Sequence, residues 1–153
     1  MTVHLEPMPA ELLPEWIEAD HQRYIASRMQ SGESREVAVK KAEQSREENF
    51  PNGRPLDTHL LFQVWSDGTV VGILWMGPYP AGSTDWWVFD IEIDEAHRRR
   101  GHARRALELG HAAAKDHGAT TIGLNVFGYN TGAKELYDSL GYAVTATQMK
   151  RDL

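Results

Sequence analysis

The stretch from Trp86 to His117 constrains the fold more than any other part of the chain. Trp86 to Asp94 is a β-rich run that leads directly into Arg98-Arg99-Arg100-Gly101-His102-Ala103. From Ala103 to His117 the apolar spacing becomes helical, with Ala103, Ala106, Leu107, Gly110, Ala113 and Ala114 along one side and Gly118 placed as a C-terminal cap. The small residues of that side predict close approach to a sheet. A strand, a glycine-bearing loop and a helix in this order aim backbone N–H groups and the positive helix end at one point, where an anion is favoured.

The flanking sequence supplies the rest of an α/β pattern. Val3 and Leu5 predict a short strand ended by Pro7 and Pro9. From Glu11 to about Met29 a helix is expected, with Leu12, Trp16, Ala19 and Arg23 in one stripe and Leu13, Ile17 and Tyr24 beside it. Ser34 is placed to cap a second helix through Glu48, which Phe50-Pro51-Asn52-Gly53 stops. Leu60–Trp65 and Thr69–Met76 read as a hairpin around Ser66-Asp67-Gly68. In the strand from Trp86, strict alternation puts Trp87, Phe89, Ile91 and Ile93 on one face and Val88, Asp90 and Glu92 on the other. Thr121–Phe127 is a further strand, Asn130 or Thr131 caps a helix to Leu140, and Gly141 ends it before a last strand from Tyr142 to about Met149. The order β, α, α, β, β, β, α, β, α, β implies an α/β domain with a mixed sheet covered by helices.

A chain of 153 residues, 41% hydrophobic and 25% charged, is expected to fold as one domain over 1–153. It has no cysteine, which excludes disulfides, thiolate metal sites and a cysteine nucleophile. The start Met1-Thr2-Val3-His4-Leu5-Glu6-Pro7 has no basic segment followed by an apolar run, and no stretch is long and apolar enough for a membrane span, so a cytoplasmic protein is expected. The net charge of −6 disfavours nucleic acid and anionic membranes as partners. The seven histidines show no metal-ligand spacing, so no metal is expected, and His97 and His102 are expected to be exposed beside the loop. Trp65, Trp75, Trp86 and Trp87 are expected in the core, with Trp86 or Trp87 also available to line a pocket.

Against the acidic background, Arg98, Arg99, Arg100, Arg104 and Arg105 stand out. Taken alone they are either a solvated basic face or part of an anion site in which Gly101 lets the backbone approach a diphosphate. The loop lacks the glycine spacing and Lys-Ser/Thr ending of a Walker loop, and it is not GxGxxG.

The run Arg98-Arg99-Arg100-Gly101-His102-Ala103 resembles the Arg/Gln-x-x-Gly-x-Gly/Ala hallmark of the GNAT superfamily. The resemblance extends to Leu124-Asn125-Val126-Phe127-Gly128-Tyr129-Asn130 and to Ala133-Lys134-Glu135-Leu136-Tyr137-Asp138-Ser139-Leu140-Gly141-Tyr142, which are similar to the family's second coenzyme A segment. It covers the C-terminal half strongly and the N-terminal half only in element order. The resemblance implies a mixed, mostly antiparallel sheet flanked by helices, with a splayed strand pair holding acetyl-CoA between Ile91–Ile93 and Leu124–Val126. It further implies an N-acetyltransferase that moves the acetyl group to a primary amine by direct attack in a ternary complex. Backbone groups of Ile91 and Ile93 would meet the pantetheine arm and thioester, and Arg98, Arg99, Arg100, Gly101, His102, Ala103 and Arg104 the phosphates. Asn130 would bond the cofactor while capping its helix, and Asn125, also counted among the cofactor-binding residues, would anchor water or substrate.

Tyr137 stands where the family commonly places the general acid for the departing thiolate, although Ala133, Leu136, Tyr137 and Leu140 also form one apolar helix face. Glu92 is the first candidate for general base; alternation puts it opposite Ile91 and Ile93 unless a bulge re-aims it. Some relatives carry Glu where this chain has Asn125, which cannot act as a base. The competing reading is a non-catalytic acyl-CoA-binding or regulatory module, and a homodimer is compatible with either.

Overall fold

In the computed structural model, which describes residues 2–153, nine main elements follow one another: β1 (Val3–Pro7), α1 (Leu13–Gln30), α2 (Arg35–Asn49), β2 (Leu60–Ser66), β3 (Thr69–Pro78), β4 (Asp85–Ile93), α3 (His102–Asp116), β5 (Thr121–Leu124) and α4 (Thr131–Ser139). The sheet order is β1-β2-β3-β4-β5. The first four strands are antiparallel to their neighbours, and β5 joins β4 in parallel. This is the mixed, mostly antiparallel sheet expected.

Several boundaries follow from local chemistry. Ser34 caps α2 by accepting from the Val37 N–H at 3.2 Å. Asp67 and Gly68 both have positive φ, 50° and 83°, and form the two-residue turn of the β2–β3 hairpin, with Ser66 opposite Thr69. Gly141 (φ 92°) closes α4, and the Tyr142 N–H reaches back to the Tyr137 carbonyl at 3.0 Å.

Alternating strand residues feed two cores. Val64, Leu74, Met76, Trp86, Val88 and Ile93 pack against Ala106, Leu107 and Ala114 of α3 on one face. Leu61 and Trp75 pack against Ile17 and Phe50 on the other, beneath α1 and α2. The small residues of α3 serve close approach, as expected. A Cβ on Gly110 would lie 2.6 Å from a Leu74 methyl. Gly72 is tighter still, because a Cβ there would run into the Glu92 backbone carbonyl of β4. Gly72→Ala is therefore expected to cost about 1–3 kcal/mol of stability through overpacking, read as a lower denaturant midpoint at unchanged m value.

Two expected strands differ. β5 ends at Leu124 rather than Phe127, because its partner β4 turns away beyond Val88 and leaves Asn125–Phe127 without a ladder. The last expected strand, Tyr142–Met149, is not formed: the segment has no ladder partner, and Val144 and Met149 are exposed. β-Propensity expresses itself only where a neighbouring strand supplies hydrogen bonds and a face to cover, and Ala143 and Ala146 bring little area to bury.

Candidate functional site

β4 carries a bulge. Trp75 of β3 pairs with Asp90 and Met76 with Val88, so Phe89 is the extra residue. The bulge shifts the alternation by one position. Trp86, Val88, Ile91 and Ile93 all turn to the α3 core, whereas Phe89 packs with Trp75 on the α1–α2 side. The expected grouping of Trp87 and Phe89 with Ile91 and Ile93 is thereby corrected, because strict alternation does not survive a two-against-one pairing.

Past the bulge β4 has no neighbour on its β5 side, since the β4–β5 register stops at Val88 opposite Leu124. The two strands splay around a cleft of roughly 820 Å³. Ile91, Glu92, Arg98, Asn125, Asn130 and Tyr137 all line it, together with Asp20 and Arg23 of α1. Unpaired backbone N–H and C=O groups on a strand edge beside such a cleft suit an extended, amide-bearing ligand added as a further strand.

Below the splay, a short 3₁₀ turn (Glu95–His97) leads to the arginine loop. Arg99 (φ 63°) and Gly101 (φ 80°) both occupy the left-handed region, and Gly101 is the N-cap of α3 without a side-chain cap. The first-turn N–H groups of α3 thus have neither a helical carbonyl nor a capping side chain to donate to, which suits a phosphate.

The arginines divide. Arg98 turns back to β4, donating Nε–H to the Ile93 carbonyl at 2.8 Å and reaching the Glu92 carboxylate at 2.8 Å. Arg104 bonds the Ser139 hydroxyl at the end of α4, and Arg99 and Arg100 are exposed. Neither nearby histidine is exposed as expected. His102 is only 5% exposed, because α3 begins one residue early and puts it on the ridge of Ala106, Gly110 and Ala114. Burial, then His97 and Arg100, push its pKa below the usual histidine value. His97 is half-buried, with its ring 6.5 Å from that of His102.

Asn130 caps α4 as expected, accepting from the Ala133 N–H at 3.2 Å. Tyr137 satisfies both of its readings: it packs against the α3-side core and it lines the cleft. Burial raises its pKa, and the nearby Asp90 and Glu92 carboxylates add to that. Burial and Asp90 likewise raise the Glu92 pKa, while Arg23 and Arg98 oppose the rise. Trp86 is core, whereas Trp87 is half-buried and lines the cleft.

Three charged residues at the cleft were not singled out from the sequence. Arg23 of α1 contacts Asp20 at 3.6 Å and Asp90 at 3.2 Å. An arginine in an otherwise apolar stripe and an aspartate on the polar face of a strand were the available signals; Asp20 gave none. Among the described residues no group of histidine, aspartate and glutamate is arranged to hold a metal ion, and no helix is long and apolar enough to cross a membrane.

Comparison with known proteins agrees with this architecture. Residues 12–142 match the family described as Acetyltransferase (GNAT) family. YdgE of Bacillus subtilis (strain 168), described as an uncharacterized N-acetyltransferase, is 30% identical over 100% of this chain and 99% of its own. YycN of the same organism, described in the same words, is 26% identical over the whole of both chains, and its crystal structure superposes with a TM-score of 0.89 over 99% of each. AAC(6')-Iy, solved in complex with the bisubstrate analog CoA-S-monomethyl-acetylneamine, shares the fold with a TM-score of 0.59 at 15% identity, covering 100% of this chain and 99% of its own. With a splayed β4–β5 pair, a glycine-capped arginine loop and a family match across most of its length, the chain belongs to the GNAT acetyltransferase family and is an acyltransferase.

Proposed function

We propose that this protein, acting as one domain over residues 1–153 in the cytoplasm, transfers the acetyl group of acetyl-CoA to a primary amine by direct attack in a ternary complex. The observation that carries the reading is the free β4 edge at Phe89–Ile93, which runs into a loop whose amides and arginines suit a diphosphate. The residues fit the donor. The edge offers the backbone groups of Ile91 and the N–H of Ile93, whose carbonyl Arg98 already occupies, to an amide-bearing arm and to the thioester oxygen, and the amides from Gly101 to Arg104, with Arg99 and Arg100, offer donors to phosphate. His102 contributes its backbone only, since its ring is buried. Asn125 and Asn130 lie on the facing wall.

Tyr137 gives a proton to the departing sulfur, and Glu92 takes one from the nitrogen as the amide forms, directly or through water. A tyrosine whose pKa is raised stays protonated at neutral pH, as an acid must. That AAC(6')-Iy accommodates a coenzyme A bisubstrate analog on the same fold supports the donor assignment.

Acetyl-CoA is expected to raise the melting temperature, since a ligand that binds only the native state adds about 2.7 kcal/mol at a hundredfold excess over Kd. No shift at millimolar acetyl-CoA overturns the donor assignment. A shift without release of CoA across a broad amine panel, even at alkaline pH, selects the non-catalytic acyl-CoA-binding module instead.

A further inference from the structure

An acceptor that arrives as an ammonium must lose two protons: one before its lone pair can attack and one as the amide forms. Glu92, already ion-paired with Arg98, suits the second. The cleft holds a separate arrangement suited to the first. Asp20 projects from α1 and Asp90 from β4, immediately past the bulge, and both line the cleft. The two side chains are only 18% and 20% exposed, and both contact the same guanidinium, that of Arg23.

The charges do not balance when the cleft is empty of a cation. Two ionised carboxylates against one guanidinium leave a single negative charge unmatched in a half-buried place, and either a proton or one cation from the cleft cancels it. The other charged or titratable groups facing the pair do not supply that cation. Arg46 of α2 is committed to Glu18 at 2.8 Å, Glu92 adds negative charge, and Tyr137 of α4 is neutral. The cleft wall next to the pair is aromatic, with Tyr79 5.9 Å from Trp87 and 6.1 Å from Phe89, ring centre to ring centre. Aromatic faces beside a carboxylate pair suit an ammonium rather than a neutral or anionic group.

We propose that the Asp20–Asp90 pair seats the ammonium of the acceptor and removes its first proton, a role that rests on the acetyl-transfer reading above. An N–H bond of the ammonium breaks, its electron pair stays on nitrogen, and an O–H bond forms on the pair. The freed lone pair attacks the thioester carbon. Of the two protons leaving nitrogen, one passes to solvent from the pair and one offsets the proton that sulfur takes from Tyr137.

The protonation of the pair supports this assignment. Burial, reinforced by Asp90, raises the Asp20 pKa to about 8 against the opposing pull of Arg23 and Arg46. Asp20 therefore becomes a competent proton acceptor as pH rises through about 8, and activity should climb across that range. Stability should move the opposite way. A carboxyl whose folded pKa lies above its unfolded value of about 3.9 contributes stability that is present below the unfolded value and lost as pH rises through the folded one. Asp20→Asn removes that loss, so its melting temperature should exceed the wild type's at alkaline pH.

The test uses the full chain labelled with ¹³C at the aspartate carboxyls. A resonance missing in Asp20→Asn is expected to titrate near about 8. n-Butylammonium at tens of millimolar is expected to lower that midpoint, while n-butanol leaves it in place. In CoA release with n-butylamine, Asp20→Asn should lose about ten- to a thousandfold in kcat/KM and the rising pH limb, with the KM for acetyl-CoA unchanged. A midpoint in the ordinary aspartate range, a midpoint indifferent to n-butylammonium, or an Asp20→Asn variant with the wild-type pH profile overturns the proposal. A wild type that shows the titration and the ammonium shift but releases no CoA with any amine overturns the transfer reading and supports the seat alone.

Discussion

Replacing Tyr137 by phenylalanine is expected to lower kcat about ten- to a thousandfold while leaving acetyl-CoA affinity and the melting temperature nearly unchanged. The substitution removes one hydroxyl and keeps the ring that packs against the α3-side core. It therefore separates proton transfer from packing, the two readings that the Ala133–Leu140 helix face leaves open. The loss should lie toward the lower end of the range, because a thiolate is already a fair leaving group near neutral pH, with a thiol pKa of about 8.5. It should also shrink as pH rises. The decisive measurement is turnover with an identified amine under conditions where chemistry limits the rate. Unchanged turnover there returns Tyr137 to the core and leaves the sulfur to depart unaided or through water.

Gly101→Val is expected to weaken acetyl-CoA binding by about a hundredfold or more, which corresponds to roughly 2.7 kcal/mol. Two effects act together. At φ 80° the residue sits in the left-handed region, where an L side chain costs about 1–2 kcal/mol and a β-branched one is least at ease. The added bulk also stands where the loop amides would meet a diphosphate. Gly101→Ala suffers the same backbone penalty with less bulk, so the difference between the two variants isolates crowding of the ligand. Isothermal titration together with denaturant unfolding reads both quantities. Equal losses of binding and folding in Gly101→Val would mark the glycine as structural, and affinity within about threefold of wild type would remove the loop from the binding site.

What the sequence discloses here is what local backbone chemistry decides. The Ser34 cap, the Asp67-Gly68 turn, the small face of α3, the Asn130 cap and the Gly141 stop are each settled by a few adjacent residues, and each is found where expected. The features that escape are settled by partners far along the chain. The bulge at Phe89 exists only in the pairing of β4 with β3. The end of β5 and the absent last strand depend on which ladder a segment can join, which periodicity does not encode. His102 illustrates a boundary effect: starting α3 one residue early changes an exposed loop histidine into a buried ridge residue. The cleft is likewise only half legible. Motif residues such as Gly101 and Tyr137 announce themselves, whereas Asp20 and Asp90 become neighbours only when α1 is laid across the sheet.

The extra residue in β4 also makes the strand two tracks laid end to end and out of phase. Residues 85–88 answer to the alternation shared with β5, and residues 90–93 answer to the opposite parity. Deleting Phe89 would bring the tracks back into step with Val88 and Ile91 still facing α3 and Asp90 still facing α1, at the loss of the ring that stacks on Trp75. The bulge is therefore the one place in β4 where a residue can be lost without turning any neighbour to the wrong face. The bulge also separates positions 90–93 from the ladder that ties β4 to β5, so a side chain there can change without disturbing that ladder.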